Sequence, residues 1–315
     1  MLKRAGVIDV PNERSSHDRP VLRGGGLAQA CAMVLAIGYS GFTAAGHRQT
    51  LLFVVGATCL AAATLGWLED LHGLPVKIRA GAQVLIGIAA TSAAALTTGH
   101  SAWWGLVGGI ALVGGINVVN FMDGVNMISA LHGIVAGLSF VAIGLLENSD
   151  WLVTSGSVLA AAFAAFLPWN INGQMFLGDV GSYLLGGAFA IIVTVGWMEG
   201  LPIIALAAPM TIYVADTAVT LMSRIRAGEQ WRDAHRDHTY QRMNQAGLSH
   251  ITVACAVVSL SIVCAALGIG ASEARGRPFA IQILAILLIA GGYTTLRYVV
   301  KPRIQTRPLK GDSSR

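Results

Sequence analysis

The chain is short of charge, of polar stretches and of paired cysteines, and each shortage excludes something. Charged residues are 12% of the 315, with only 16 Asp and Glu, roughly half the charged share of soluble domains. The longest polar stretch, 223–250, is under thirty residues, which leaves no room for a separate soluble domain. Cys31, Cys59, Cys255 and Cys264 all sit in apolar surroundings, with no Cys-x-x-Cys pair. They read as small buried hydrophobes rather than a disulfide framework or thiolate site. Met1-Leu2-Lys3-Arg4 leads into polar sequence instead of an apolar run, so no cleavable signal peptide is expected.

What the chain has is apolar length. Hydrophobic residues make up 54% and mean hydropathy is +0.64, values of an integral membrane protein. A spanning helix needs about 20 predominantly apolar residues. About ten stretches qualify: 27–45, 51–68, 78–97, 103–119, 128–146, 152–168, 181–198, 201–222, 250–271 and 279–298. Their abundant Gly and Ala suit close helix packing in lipid. The fold class expected is all-α, a polytopic membrane helical bundle forming one integral-membrane domain over 1–300. Residues 301–315 read as a basic, disordered cytoplasmic tail. Ten spans return both termini to one side, and 18 of the 21 Lys and Arg fall there, leaving Arg48, Arg275 and Arg277 opposite. The positive-inside rule makes the rich side cytoplasmic. The opposite loops (46–49, 98–101, 198–200) are very short and offer little chemistry.

Five polar stretches fall on the cytoplasmic side of this topology. Glu69-Asp70 ends the second span, where paired acids call for water or a cation, unless the helix end is simply solvated. Lys77 and Arg79 follow, as phosphate-binding cations or as snorkelling interfacial side chains. Asn117, Asn120 and Asp123 recur at i, i+3, i+6, so a helix end projects them together, in a ligand site or as caps. Asp179, between Gly178 and Gly181, opens the seventh span as an N-cap or as an anchor where anions and their metal ions dock. Asp233, His235, Arg236, Asp237, His238 and Arg242 form the last stretch. Two His with two Asp could make a zinc site, but no third nitrogen or sulfur ligand is near, and the interleaved arginines favour phosphate. Asp216 lies deeper, near the end of the eighth span, where an Arg224 pairing or a helix neighbour explains it equally well.

In this order, and joined by Asp9-Val10-Pro11-Asn12-Glu13-Arg14 and Arg23-Gly24-Gly25-Gly26, the motifs resemble the polyprenyl-phosphate N-acetylhexosamine-1-phosphate transferases of glycosyltransferase family 4. The resemblance runs from Asp9 to His250, and the histidine segment is most similar to the branch that primes O-antigen and related polysaccharides. It implies a Mg2+ enzyme, with Mn2+ as the alternative, of the bacterial inner membrane. Its partners would be a UDP-N-acetylhexosamine, a polyprenyl phosphate lipid and a second copy in a homodimer, with no nucleic acid. Carried over, Asp70, Asp123 and His238 are catalytic, and Asp179, Asp70 and Glu69 hold the metal. Asn117, Asn120, Lys77, Arg79, His235, Arg236 and Arg242 bind substrate.

Three departures stand out. Glu69 replaces the first Asp of an Asp-Asp pair, Asn126 replaces an Asp after Gly124, and Met1 falls where members carry an apolar helix ahead of Asp9. The implied reaction gives polyprenyl-diphospho-HexNAc and UMP. A phosphate monoester with a second pKa near 6 is already largely dianionic at neutral pH, which favours metal binding and positioning for Asp70 over base catalysis. An impaired member serving as a lipid-binding or scaffold protein is the alternative. A transporter is the weaker rival, because its charges belong near the bilayer midplane in inverted repeats.

Overall fold

The computed structural model describes residues 8–9 (backbone only), 21–230, 235–273 and 277–300. Residues 10–14 of the N-terminal motif, Arg232, Asp233 and the tail expected over 301–315 lie outside them. Helices dominate: α1 Gly26–Thr43, α2 Gly46–His72, α3 Val76–Thr97, α4 Trp104–Met122, α5 Ile128–Leu146, α6 Asp150–Ile171, α7 Gly178–Met198, α8 Ile203–Ala207, α9 Thr211–Arg226, α10 Thr239–Gln245, α11 His250–Glu273 and α12 Arg277–Val299. Ten spans of sufficient length and hydropathy result, α8 and α9 together making the eighth. The helices outrun the apolar stretches by up to a turn or so, because backbone hydrogen bonding continues into the polar ends that carry the motifs.

The eighth span, expected as one helix over 201–222, is broken by a 3-10 turn at Ala208–Met210. Pro209 lacks an N–H and crowds the preceding turn, and the tighter 3-10 winding absorbs the fault. A two-residue strand pair adds to the all-helical reading: β1 Ile8–Asp9 runs antiparallel to β2 Val21–Leu22. Leu22 also bridges to Met175 and accepts the Phe176 N–H at 2.9 Å, so the N-terminal arm is pinned to the approach to α7.

Helix α7 is the axis of the bundle. Asp179, Val193 and Trp197 are its only residues that are not buried. Glycines bring the neighbours to it: a Cβ on Gly66 of α2 would lie 2.2 Å from the Asp179 carbonyl oxygen, and one on Gly26 of α1 2.3 Å from Gly181. These contacts place the end of α2 and the starts of α1 and α7 at one end of the molecule, and the Asn120–Asp179 hydrogen bond brings the end of α4 there as well. The short loops of the opposite end are not bare. Glu199 there meets His47 and, at 3.2 Å, His100, and Arg48 pairs with Asp150 at 3.2 Å.

Candidate active site

The centre of the motif-bearing end is the start of α7, whose first N–H groups have no partner within the helix. Asp70 supplies them from α2. Its Oδ1 accepts the Asp179 N–H at 3.0 Å and its Oδ2 the Val180 N–H at 2.9 Å, and its side chain has no exposed surface. Gly178 is what allows the approach, for it sits at φ +76° and a Cβ there would be 2.8 Å from Asp70 Oδ2. Arg23 spans both acids, with Nε 2.9 Å from Asp70 Oδ1 and an Nη 3.1 Å from Asp179 Oδ2. Gly25 and Gly26 donate to the Phe176 and Leu177 carbonyls at 2.9 Å each, which fixes the backbone just after Arg23. Asn120 of α4 completes the cluster by donating to Asp179 Oδ1 at 2.7 Å and to the Ser182 hydroxyl at 3.1 Å.

Asp123 follows α4 in the turn toward α5. Burial pushes its carboxyl up to about 6, with the charges of Asp179 and Asp70 adding to the rise and Arg23 opposing it. The turn is rigid: Met127 sits at φ 73°, and its N–H is held at 2.6 Å by the buried Asn170, whose amide in turn donates to the Met175 carbonyl at 3.0 Å. The i, i+3, i+6 triad is only partly brought together. Asn117 turns away to donate to Gln83 of α3 at 2.8 Å, one helical turn deeper than Asn120.

The other proposed metal and phosphate groups in this half have partners of their own. Glu69 accepts the Leu74 N–H at 2.6 Å and an Arg79 Nη at 2.8 Å, and Arg79 also reaches the Tyr183 hydroxyl at 3.4 Å. Lys77 stays exposed in the first turn of α3. Thus Arg79 neutralises Glu69, and Lys77 is the cation of that pair left to face solvent.

The histidine segment packs across the Asp123 turn. Tyr240 of α10 donates to the Phe121 carbonyl at 2.9 Å and fills the space over Gly124, where a Cβ would lie 2.2 Å from its hydroxyl. His238 is buried, with Nδ1 3.4 Å from Asp216 Oδ1, and the Gln241 side chain accepts its N–H at 3.2 Å. His235 stacks on it at 5.1 Å. Burial, then the charges of His238 and Arg224, hold the His235 imidazole down at about 4, so it is neutral at pH 7 and offers hydrogen bonds rather than charge. Arg224 grips Asp237 at 2.6 Å, Arg242 approaches the same carboxylate at 3.6 Å, and Arg236 lies half-buried beside them.

Asp179 and Asp123 are hard oxygen donors of the kind that hold a divalent cation, and Asp179 also carries Asn120 on Oδ1 and Arg23 on Oδ2. Both aspartates are half-buried, and the ionisation of Asp123 is opposed by its acidic neighbours. Asp70 and Glu69 are turned to backbone N–H groups and arginines, so the three-carboxylate metal set expected from sequence is not assembled as such. Among the described residues no group of three His, Cys, Asp or Glu is arranged to hold a metal. One or two carboxylates with water and substrate phosphates is the way Mg2+ is ordinarily held. Among the described residues His235, His238 and Asp237 do not form such a group either, and Asp233, the fourth candidate, lies outside them. Arg23, which the Arg23-Gly24-Gly25-Gly26 string carries in the sequence, joins the site as a residue not expected there. Tyr183 and Asn170 carry no signal in the sequence, because they act through tertiary contacts.

A model of glycosyl transferase family 4 matches residues 51–197, the stretch that carries Asp70, Asn120, Asp123 and Asp179. The chain is 26% identical to a probable undecaprenyl-phosphate N-acetylglucosaminyl 1-phosphate transferase of Bacillus subtilis, over 78% of this chain and 72% of that one. It is 26% identical to the decaprenyl-phosphate N-acetylglucosaminephosphotransferase of Mycobacterium tuberculosis, over 94% of this chain and 83% of that one. The undecaprenyl-phosphate alpha-N-acetylglucosaminyl 1-phosphate transferase of Yersinia pestis is 25% identical over 82% and 76% of the two chains. The family match takes in the carboxylate cluster, and these relatives extend the likeness over most of the bundle, so the chain is similar to glycosyl transferase family 4 along most of its length.

Proposed function

We propose that this membrane transferase moves N-acetylglucosamine 1-phosphate, or a closely related N-acetylhexosamine 1-phosphate, from its UDP ester to undecaprenyl or a similar polyprenyl phosphate. The products are polyprenyl-diphospho-HexNAc and UMP, in the priming step of a cell-surface polysaccharide. The observation that carries the reading is the cluster of Asp179, Asp123, Asn120 and Arg23 around the start of α7, at the end of a ten-span bundle. A lipid phosphate and a water-soluble diphosphate can both reach that end. The sugar follows the names of the relatives. The side follows the cations: Arg23, Lys77, Arg79, Arg224, Arg236 and Arg242 gather there, which supports a cytoplasmic face in a bacterial inner membrane.

In the reaction, an oxygen of the lipid phosphate attacks the sugar-linked phosphorus, and the bond from that phosphorus to the bridging oxygen breaks, releasing UMP. The lipid phosphate is already largely dianionic at pH 7, so no residue has to take its proton. The protein's work is to bring two anions together in line. Asp70 fixes the start of α7 and with it Asp179, and Asn120 orients the Asp179 carboxylate. Arg23, half-exposed between the acids, and Lys77 and Arg236 face the incoming phosphates. Mg2+, when bound at Asp179 and Asp123, would offset charge on the diphosphate. The test is the nucleotide released: UMP in equal amount with lipid product supports phosphosugar transfer. UDP release would mean transfer of the sugar alone, and lipid binding without turnover would mark an impaired member.

A further inference from the structure

A second buried aspartate does for the histidine segment what Asp70 does for α7. Asp216 lies in α9 with no exposed side-chain surface, and hydrogen-bond donors from three helices converge on it. Oδ1 accepts the Thr239 N–H at 2.9 Å and the Thr220 hydroxyl at 3.2 Å. Oδ2 accepts the Tyr293 hydroxyl of α12 at 2.7 Å and the Tyr240 N–H at 3.4 Å. His238 turns Nδ1 toward Oδ1 at 3.4 Å. A carboxylate sealed in a membrane-spanning helix is costly unless it is paired and hydrogen-bonded. Besides Thr220 in its own helix and Tyr293 of α12, the carboxylate takes the N–H groups of the first two residues of α10, and the histidine that precedes them turns its Nδ1 toward it.

From α10 the connection continues into the carboxylate cluster. Tyr240, whose N–H Asp216 holds, carries the hydroxyl that bonds the Phe121 carbonyl at 2.9 Å and sits over Gly124, on either side of Asp123. Asp216 therefore sets the height and angle at which the histidine segment meets the Asp123 turn.

We propose that Asp216 is a positioning residue of the transfer reaction: it clamps the start of α10 and Nδ1 of His238, leaving Nε2 as the ring nitrogen presented to a substrate phosphate. The inference rests on the transferase reading above and adds a residue to it. A residue outside contact with the reacting atoms can matter this much, because a misplacement of about 1 Å can cost on the order of a hundredfold in rate.

The test uses the full chain in lipid nanodiscs, with Asp216→Asn, His238→Asn and the double variant. It reads turnover with UDP-GlcNAc and undecaprenyl phosphate alongside hydrogen exchange over 237–245. The expected result is a kcat lowered about tenfold or more by Asp216→Asn with little change in KM for the UDP-sugar, faster exchange in 237–245, and a double variant no slower than the slower single one. Unchanged kcat and exchange in folded Asp216→Asn protein would overturn the proposal, as would multiplicative losses in the double variant. If Asp216→Asn does not fold, Tyr293→Phe takes its place. Faster exchange in α10 with lower kcat supports the clamp, and faster exchange in α12 alone with unchanged kcat overturns it. Absence of product from the unsubstituted protein would instead count against the transferase reading, while the exchange comparison still judges the clamp.

Discussion

Replacing Asp70 with Asn separates two accounts of the acidic pair. The substitution keeps the shape and one acceptor oxygen, but it turns the other oxygen into an amide nitrogen facing a backbone donor. Asp70 holds the Asp179 N–H at 3.0 Å and the Val180 N–H at 2.9 Å, so one of these N–H groups is left buried without an acceptor, at a cost of about 1–3 kcal/mol. The Arg23 contact at 2.9 Å loses its charge as well. Arg23 is 38% exposed, so solvent screens that part, which adds no more than about 1 kcal/mol. The expected loss is therefore about 1–4 kcal/mol, seen as a lower thermal transition in detergent, with the start of α7 displaced and turnover reduced about tenfold to a hundredfold. The decisive assay is rate against pH. A positioning role predicts a deficit of constant size from pH 6.5 to 9, roughly the window where the lipid phosphate is dianionic. Recovery of rate as pH rises, with an unchanged thermal transition, would refute the reasoning and make Asp70 a base.

Other outcomes follow from the same geometry. Gly66→Ala drives a methyl to within 2.2 Å of the Asp179 carbonyl oxygen, backbone that cannot yield. A destabilisation of about 1–3 kcal/mol with loss of turnover is expected, and wild-type values would contradict the close α2–α7 approach. Asp123 is raised to about 6, so its neutral form is favoured by folding: that stabilising contribution is full below the ordinary carboxyl range and is lost as pH rises through about 6. Asp123→Asn should abolish this dependence of the thermal transition on pH, and an unchanged dependence in the variant would contradict it. His235, lowered to about 4, should keep a neutral imidazole signal in NMR spectra well below pH 6. The histidine segment should loosen as pH falls from about 6.5 toward 4, where the unfolded chain binds the proton first. A titration midpoint near 6.5 would remove His235 from its buried stack.

The spans were legible because a bilayer imposes length and hydropathy on every crossing helix, and the polar ends stood out against so apolar a chain. The gathering of Asp70, Asp123 and Asp179 at one end followed from counting crossings. What each carboxylate faces was not legible. Asp70 and Asp216 read as candidates for chemistry or for local pairing, yet both are spent on the N–H groups of helices more than twenty residues away in sequence, and nothing local signals that. Arg79 looked free for phosphate until Glu69, one helix earlier, proved to be its partner. Asn117 shares a face with Asn120 on paper, but one turn of depth hands it to Gln83 instead. The break at Ala208–Met210 was foreshadowed by Pro209, which hydropathy averages over.

The central claim is phosphosugar transfer at the start of α7. Membranes carrying the chain, given UDP-GlcNAc labelled in the sugar-linked phosphate together with undecaprenyl phosphate, test it most directly, with and without Mg2+ and beside an Asp179→Ala variant. The account predicts labelled lipid that requires Mg2+ and is lost in the variant. Labelled lipid made equally well by Asp179→Ala, or no lipid product from folded, inserted protein with any UDP-N-acetylhexosamine, would contradict it.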